Sequence, residues 1–232
     1  MGGGIADFEL RRFERLGAAD LASRLHGEGK QVNVDAEVDG IVGALAGRLS
    51  YATLTASKFT VDGMPVFLEA GTQRGSIGTL KLRFTDFSIR GLRVESLEAD
   101  IPGCRFDLGS AQRKRKIKLT RSGVGTATAR ITETALADYI RLKYPAVKEV
   151  TVELKKHRAF VTGRAELLLL KTDFFVIASL VPQAGTQLWL EDAIVFLNDE
   201  RVRDGSERRL LDTLNPVVDA NRDLGLRSAL VV

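Results

Sequence analysis

Apolar and polar residues alternate through most of this chain. Val32, Val34, Ala36 and Val38 alternate with Asn33, Asp35, Glu37 and Asp39; Leu80, Leu82 and Phe84 with Lys81, Arg83 and Thr85; Leu97, Ala99 and Ile101 with Glu98 and Asp100. Successive side chains on a strand point to opposite faces, so each run predicts a strand with one dry and one wet face. The second and third runs carry opposite charges on their wet faces, which read first as an ordinary solvated sheet face and also allow Lys81 or Arg83 to pair with Glu98 or Asp100 across neighbouring strands. Further strands are expected around Tyr51 to Val61 and Pro65 to Glu69. A second set follows, with Val150, Val152 and Leu154 alternating, a turn at Lys155-Lys156-His157, then Ala159 to Leu170, Phe174 to Val181 and Gln187 to Leu197.

Two stretches share one pattern. Phe59-Thr-Val-Asp-Gly63-Met-Pro-Val66 and Phe87-Ser-Ile-Arg-Gly91-Leu-Arg-Val94 both read Phe, any, β-branched, any, Gly, apolar, any, Val. A Gly between alternating segments is the signature of two antiparallel strands joined by a tight turn, so both copies predict hairpins.

Helices punctuate the strands. Leu10, Phe13, Leu21 and Leu25 share one helical face over Ala6 to Leu25, with Gly17 between them, and His26-Gly-Glu-Gly29 stops the segment. Gly40 to Leu49 reads as a short helix of small residues. Thr132 is positioned as an N-cap, Glu133 occupies the favourable first turn, Leu136, Tyr139 and Ile140 share a face, and Pro145 closes the segment. Ser206 caps a final helix with Leu210, Leu211 and Leu214 on one side, and Asn215-Pro216 breaks it. The order is helix, meander, helix, meander, helix, an α+β arrangement. Residues 1–29 form an amphipathic helix behind a short leader, and 30–232 form a single domain.

The 232 residues suffice for one substantial core, and a composition of 44% hydrophobic and 28% charged residues is that of a globular chain. The longest apolar run, Phe174 to Val181, falls far short of the roughly 20 residues a spanning helix needs. Met1 to Gly4 read as a leader or trimmed end, and the charged segment behind them has no apolar core of a secretion signal. The single Cys104 is expected to be a buried spectator thiol, and leaves the redox compartment open.

Little in the chain suggests catalysis. Gly123-Val-Gly125-Thr-Ala-Thr-Ala129 loosely matches a dinucleotide loop, but its third small residue is offset and no parallel βαβ unit surrounds it, so it reads as a turn and strand leading to the capped helix. His26 and His157 have no ligand spacing, and no nucleophile elbow or ordered triad is present. No enzyme activity, metal or other cofactor is expected.

A net charge of +4 is too small to imply a polyanion by itself. Its distribution is more telling, because Arg113-Lys114-Arg115-Lys116, extended by Lys118 and Arg121, is the one dense block of a single sign. It reads either as a solvated loop or as a patch facing an anionic membrane, where each basic residue contributes on the order of 1 kcal/mol. Nucleic acid is disfavoured, since neither interleaved aromatics nor a duplex-reading helix accompanies the block.

The start of the first repeat, the helix start Ile131-Thr-Glu-Thr-Ala-Leu-Ala-Asp-Tyr-Ile140, and the closing Leu214-Asn-Pro-Val-Val-Asp219 followed by Leu224-Gly-Leu226 resemble the bacterial LmeA-like phospholipid-binding family. The resemblance runs over roughly Val32 to Leu226. It implies an exported or membrane-anchored protein of the cell envelope or periplasm, and a fold similar to the tubular lipid-binding superfamily, in which a highly curved antiparallel sheet wraps around a helix and leaves an apolar tunnel. The partners so implied are a phospholipid or fatty-acyl ligand and an anionic membrane surface. Expected tunnel-lining residues are Leu82, Phe84, Leu136, Ile140, Leu211, Leu214 and Val218, taken from apolar helix and strand faces, with Arg113, Lys114, Arg115 and Lys116 as the docking patch. The same side chains would equally build a solid core, and a fully packed interior would make the chain a structural or protein-interaction module of the envelope.

Overall fold

The computed structural model describes residues 3–38, 40–167, 170–183, 187–203, 205, 208, 211–212 and 215–219. The fold is α+β, with two mostly antiparallel sheets and few helices. The chain divides into two compact units, one containing Met1–Arg90 and Val94–Arg130, the other Gly91–Arg93 and Ile131–Leu224.

The first unit begins with helix α1 (Gly3–Ser23), followed by β1 (Gln31–Val38), α2 (Gly40–Leu45), β2 (Arg48–Val61), β3 (Gly75–Ile89), β4 (Leu92–Phe106), α3 (Leu108–Lys114), β5 (Leu119–Arg121) and β6 (Thr126–Arg130). Its sheet runs β1-β2-β3-β4-β5, with β6 also on β4. The alternation read from the sequence is realised here. Leu80, Leu82 and Phe84 are buried while Thr85 is exposed, and the Arg83 guanidinium meets the Asp100 carboxylate at 2.7 Å across β3 and β4.

The two repeats diverge. Phe87 to Val94 is a hairpin: Arg90 and Gly91 both have positive φ, 49° and 86°, and a two-residue turn of that kind joins antiparallel strands. Phe59 to Val66 is not. Strand β2 stops at Val61, the chain crosses over through residues 62–74, and β3 returns parallel to β2, with Phe59 opposite Phe87 and Val61 opposite Ile89. Position for position, Pro65 stands where the second copy has Arg93. Proline has no N–H to give a ladder and restricts the residue before it, so a return strand cannot start there. The expected strand at Pro65 to Glu69 accordingly reduces to a bridge between Leu68 and Leu119.

Helix α1 packs on β1. Gly17 permits the close approach, since a Cβ there would stand 3.3 Å from a Val34 methyl. Glu14 Oε1 accepts from the Ala36 N–H at 3.0 Å, satisfying a donor on the edge strand, and Lys30 Nζ donates to the carbonyls of Ala22, in the last turn of α1, and Leu25, just past it. His26 then pairs with Thr60 through both backbone bonds, tying the end of α1 to β2.

The second unit contains α4 (Glu133–Lys143), β7 (Val147–Lys155), β8 (Arg158–Leu167), β9 (Leu170–Gln183), β10 (Gln187–Leu197), β11 (Glu200–Arg201) and β12 (Val218–Asp219), in a sheet ordered β11-β10-β9-β8-β7 with β12 on β10. Thr132 caps α4, its Oγ1 accepting from the Ala135 N–H at 3.1 Å. The turn at Lys156-His157 has two positive φ angles, 49° and 64°. Val176, Ala178, Leu190, Ala193 and Val195 form the core of this unit. Of the expected final helix, Arg208, Leu211 and Asp212 are helical, and Ser206, Leu210 and Leu214 lie outside the described residues. Beyond it the Asn215 side chain bonds both the N–H and C=O of Leu190 at 2.8 Å, extending the β10 ladder.

Candidate functional site

Two clefts flank α1 within the first unit. One, of about 40 Å³, lies between α1 and the sheet, lined by Phe13, Gly17 and Leu21 of α1, Val34 of β1, Ala52 and Leu54 of β2, Ile77 and Leu80 of β3, and by Pro65, Val66, Phe67, Ile117 and Leu119. The other, of about 60 Å³, lies nearer the N-terminal half of α1 and shares Phe13 with the first, among Leu10, Leu16, Val38, Ala44, Leu49, Phe106, Leu108 and Ala111. The first wall is mainly aliphatic and aromatic apart from Asp20 and Arg24, and the second adds Arg12 and Gln112 to its apolar lining. Such surface favours an apolar guest and offers nothing to activate one.

Polar groups converge on the first cleft at Asp20 and Arg24. Arg24 Nη2 meets Asp20 Oδ2 at 2.7 Å and Glu69 Oε1 at 3.6 Å, Nη1 donates to the Pro65 carbonyl at 3.2 Å, and the guanidinium stands 4.9 Å from the centre of the Phe67 ring. Lys118 Nζ reaches the other Glu69 oxygen at 3.1 Å, and Asp20 Oδ2 also accepts from the Ile117 N–H. One carboxylate, Glu69, is therefore shared by two cations beside an apolar cleft.

The basic block sits immediately upstream of this network. It is not a loop throughout: Asp107 caps α3 by accepting from the Ser110 N–H at 2.9 Å, and α3 carries Arg113 and Lys114 in its last turn. That bond, with a second from the Thr72 hydroxyl, holds the Asp107 carboxyl below its ordinary range. Arg115 ends the helix in the left-handed region at φ 54°, and residues 113–116 are all exposed. Cations at a helix C-terminus are favourably placed against its dipole.

The seven expected lining residues divide between the units. Leu82 and Phe84 are almost fully buried on β3, where Phe84 meets Phe59 and Phe87 edge-on, beside Leu80 rather than in the cleft wall. In the second unit, Leu136 and Ile140 are half-buried on α4, Leu211 packs on the core of that unit, and Val218 pairs with Leu188. Leu214 lies outside the described residues. The residues that do line the first cleft were legible only in part: Phe13, Gly17 and Leu21 recur at four-residue spacing, but nothing local says which strands they meet.

Cys104 is buried, and burial pushes its thiol up to about 11. Among the described residues no group of His, Cys, Asp and Glu could hold a metal ion, and no helix is long and apolar enough to cross a membrane.

No curated protein and no solved structure matches the chain. A family model described as LmeA-like phospholipid-binding matches residues 59–230, so that α1, β1 and α2 precede the matched region. By that match over most of its length, the chain belongs to the LmeA-like phospholipid-binding family.

Proposed function

We propose that this chain binds a phospholipid or another acyl lipid without chemistry, holding the acyl chain in an apolar tunnel of the tubular lipid-binding kind, between α1 and the sheet that carries β1, β2 and β3. The observation that carries this reading is the apolar cleft under α1. Each CH₂ taken from water contributes about 0.8 kcal/mol, so a lining of Leu, Val, Ile and Phe needs no cofactor to retain a lipid. At about 40 Å³ the cleft has room for a few waters, well below the roughly 150 Å³ that admits benzene, so loading requires α1 to move outward. Leu82 and Phe84 back this wall, and in the second unit Leu136, Ile140, Leu211, Leu214 and Val218 are proposed as lipid-contacting residues of that unit.

The protein works at a bacterial envelope membrane in this reading, with Arg113, Lys114, Arg115 and Lys116 docking on anionic lipid. Exposed Phe8 on α1 and Val42 and Leu45 on α2 support apposition to a bilayer, since α1, α2 and α3 all border the second cleft. The small volume of the cleft favours one other reading, a packed structural or interaction module. Native mass spectrometry of the purified chain after incubation with phosphatidylglycerol vesicles separates the two: the container reading expects a bound lipid near one per chain, and a chain that stays empty supports the module.

A further inference from the structure

The first cleft has a chemical polarity that an acyl chain alone leaves unused. We infer that Arg24 and Lys118 form the site for a phosphate oxyanion carried by the lipid headgroup, and that the Glu69 carboxylate fills that site in the structure described. This inference rests on the lipid reading and says which residues would hold the phosphate of the lipid.

Four observations support it. The two cations address the two oxygens of one carboxylate, Arg24 at 3.6 Å and Lys118 at 3.1 Å, which is the arrangement an anion with several oxygens would take between them. The Arg24 contact with Glu69 is long, whereas its contact with Asp20 on the same helix is 2.7 Å, so Glu69 is the partner held less tightly. Arg24 is also fixed in place independently of Glu69, by Asp20, the Pro65 carbonyl and the Phe67 ring, so it stays aimed when Glu69 leaves. Arg24, Pro65, Phe67 and Ile117 line the cleft as well, and Lys118 follows Ile117 directly, so an oxyanion there and an acyl chain beneath α1 belong to one amphipathic molecule.

The exchange is a swap of anions. Glu69 is partly exposed, and on leaving it gains water while the phosphate takes over both cations. The expected preference for the phosphate-bearing lipid over its phosphate-free counterpart is about tenfold.

The test compares loading of dioleoyl-phosphatidylglycerol with that of dioleoylglycerol, which has the same chains and no phosphate, by native mass spectrometry. The wild type is expected to favour phosphatidylglycerol by about tenfold. Lys118→Gln, which removes a side chain paired only with Glu69 in the network above, is expected to abolish most of that preference while dioleoylglycerol still loads; Glu69→Gln is expected to increase it. Arg24→Gln should act like Lys118→Gln, and because it also loosens α1, the Lys118 variant decides. Equal loading of both lipids by all variants overturns the headgroup site and leaves the apolar cleft standing. Failure of both lipids to load in the wild type overturns both readings. Inorganic phosphate, which lacks acyl chains, is expected to compete only weakly; phosphate binding that is lost in Lys118→Gln while the preference for phosphatidylglycerol persists would assign the site to a free anion and overturn the headgroup inference.

Discussion

Phe59 and Phe87 occupy the same position in the two sequence repeats and face each other across the parallel β2–β3 pair, their rings stacked at 4.9 Å and 9°. Both are almost fully buried, and Phe84 meets each of them edge-on. The repeat is thus expressed as register. Phe59→Ala or Phe87→Ala is expected to cost about 3–5 kcal/mol in urea unfolding, and the double variant to cost less than the sum by about 0.5–1.5 kcal/mol, the coupling of an aromatic pair. Strict additivity would mean the rings do not interact.

Filling the cleft and overfilling the core should differ. Leu54 is half-buried in the cleft wall, whereas Leu82 is sealed in the sheet. Leu54→Trp is expected to lower lipid loading with little change in melting temperature. Leu82→Trp is expected to cost about 1–3 kcal/mol of stability instead. Paired loading and thermal-melt measurements distinguish the two outcomes, and identical behaviour of the two variants would remove the distinction between wall and core.

Reversal of Arg113, Lys114, Arg115 and Lys116 to Glu is expected to abolish cosedimentation with anionic vesicles while lipid carried by the protein stays bound. Salt should weaken the wild type in the same assay, because exposed charges are screened beyond about 10 Å at 0.1 M. Salt-insensitive binding, unchanged in the reversed variant, would return the block to a solvated helix end.

The thiol of Cys104 supplies a pH signature. Its folded pKa, about 11, lies above the unfolded value, so the folded chain holds the proton more tightly and the stability this contributes is present below about 9. It is lost as pH rises toward 11. Wild type is therefore expected to lose stability relative to Cys104→Ala between about pH 9 and 11, and to resist alkylation at pH 8 until unfolded. A constant difference across that range, or ready alkylation of the folded chain, would contradict the burial.

Local chemistry was readable in the sequence, and long-range pairing was not. Thr132 as a cap, the turn at Lys156-His157 and the Arg83 pair with Asp100 each depend on neighbours along the chain or on adjacent strands of a hairpin. The parallel return of β3 accompanies Pro65 where the second copy has Arg93, a difference that the shared pattern of the repeats conceals. Helix α3 was hidden by Gly109 and Ser110, poor helix formers, because the Asp107 cap that supports them bonds the backbone and leaves no apolar period. The cleft was hidden for a different reason: the stripe Phe13, Gly17, Leu21 specifies a helix with one dry face, and only the tertiary fold determines that the face meets β1, β2 and β3.

Movement of α1 away from β1 is the central claim, and Gly17 and Val34 allow it to be tested directly. A Cβ at Gly17 would lie 3.7 Å from the Val34 Cβ, within the range a disulfide spans. In a Cys104→Ala background, Gly17→Cys with Val34→Cys is expected to oxidise readily and pin α1 on the sheet. Phosphatidylglycerol loading measured on the oxidised and reduced forms should then be lost in the first and restored in the second by dithiothreitol. Equal loading of the pinned and released forms would contradict an acyl chain beneath α1.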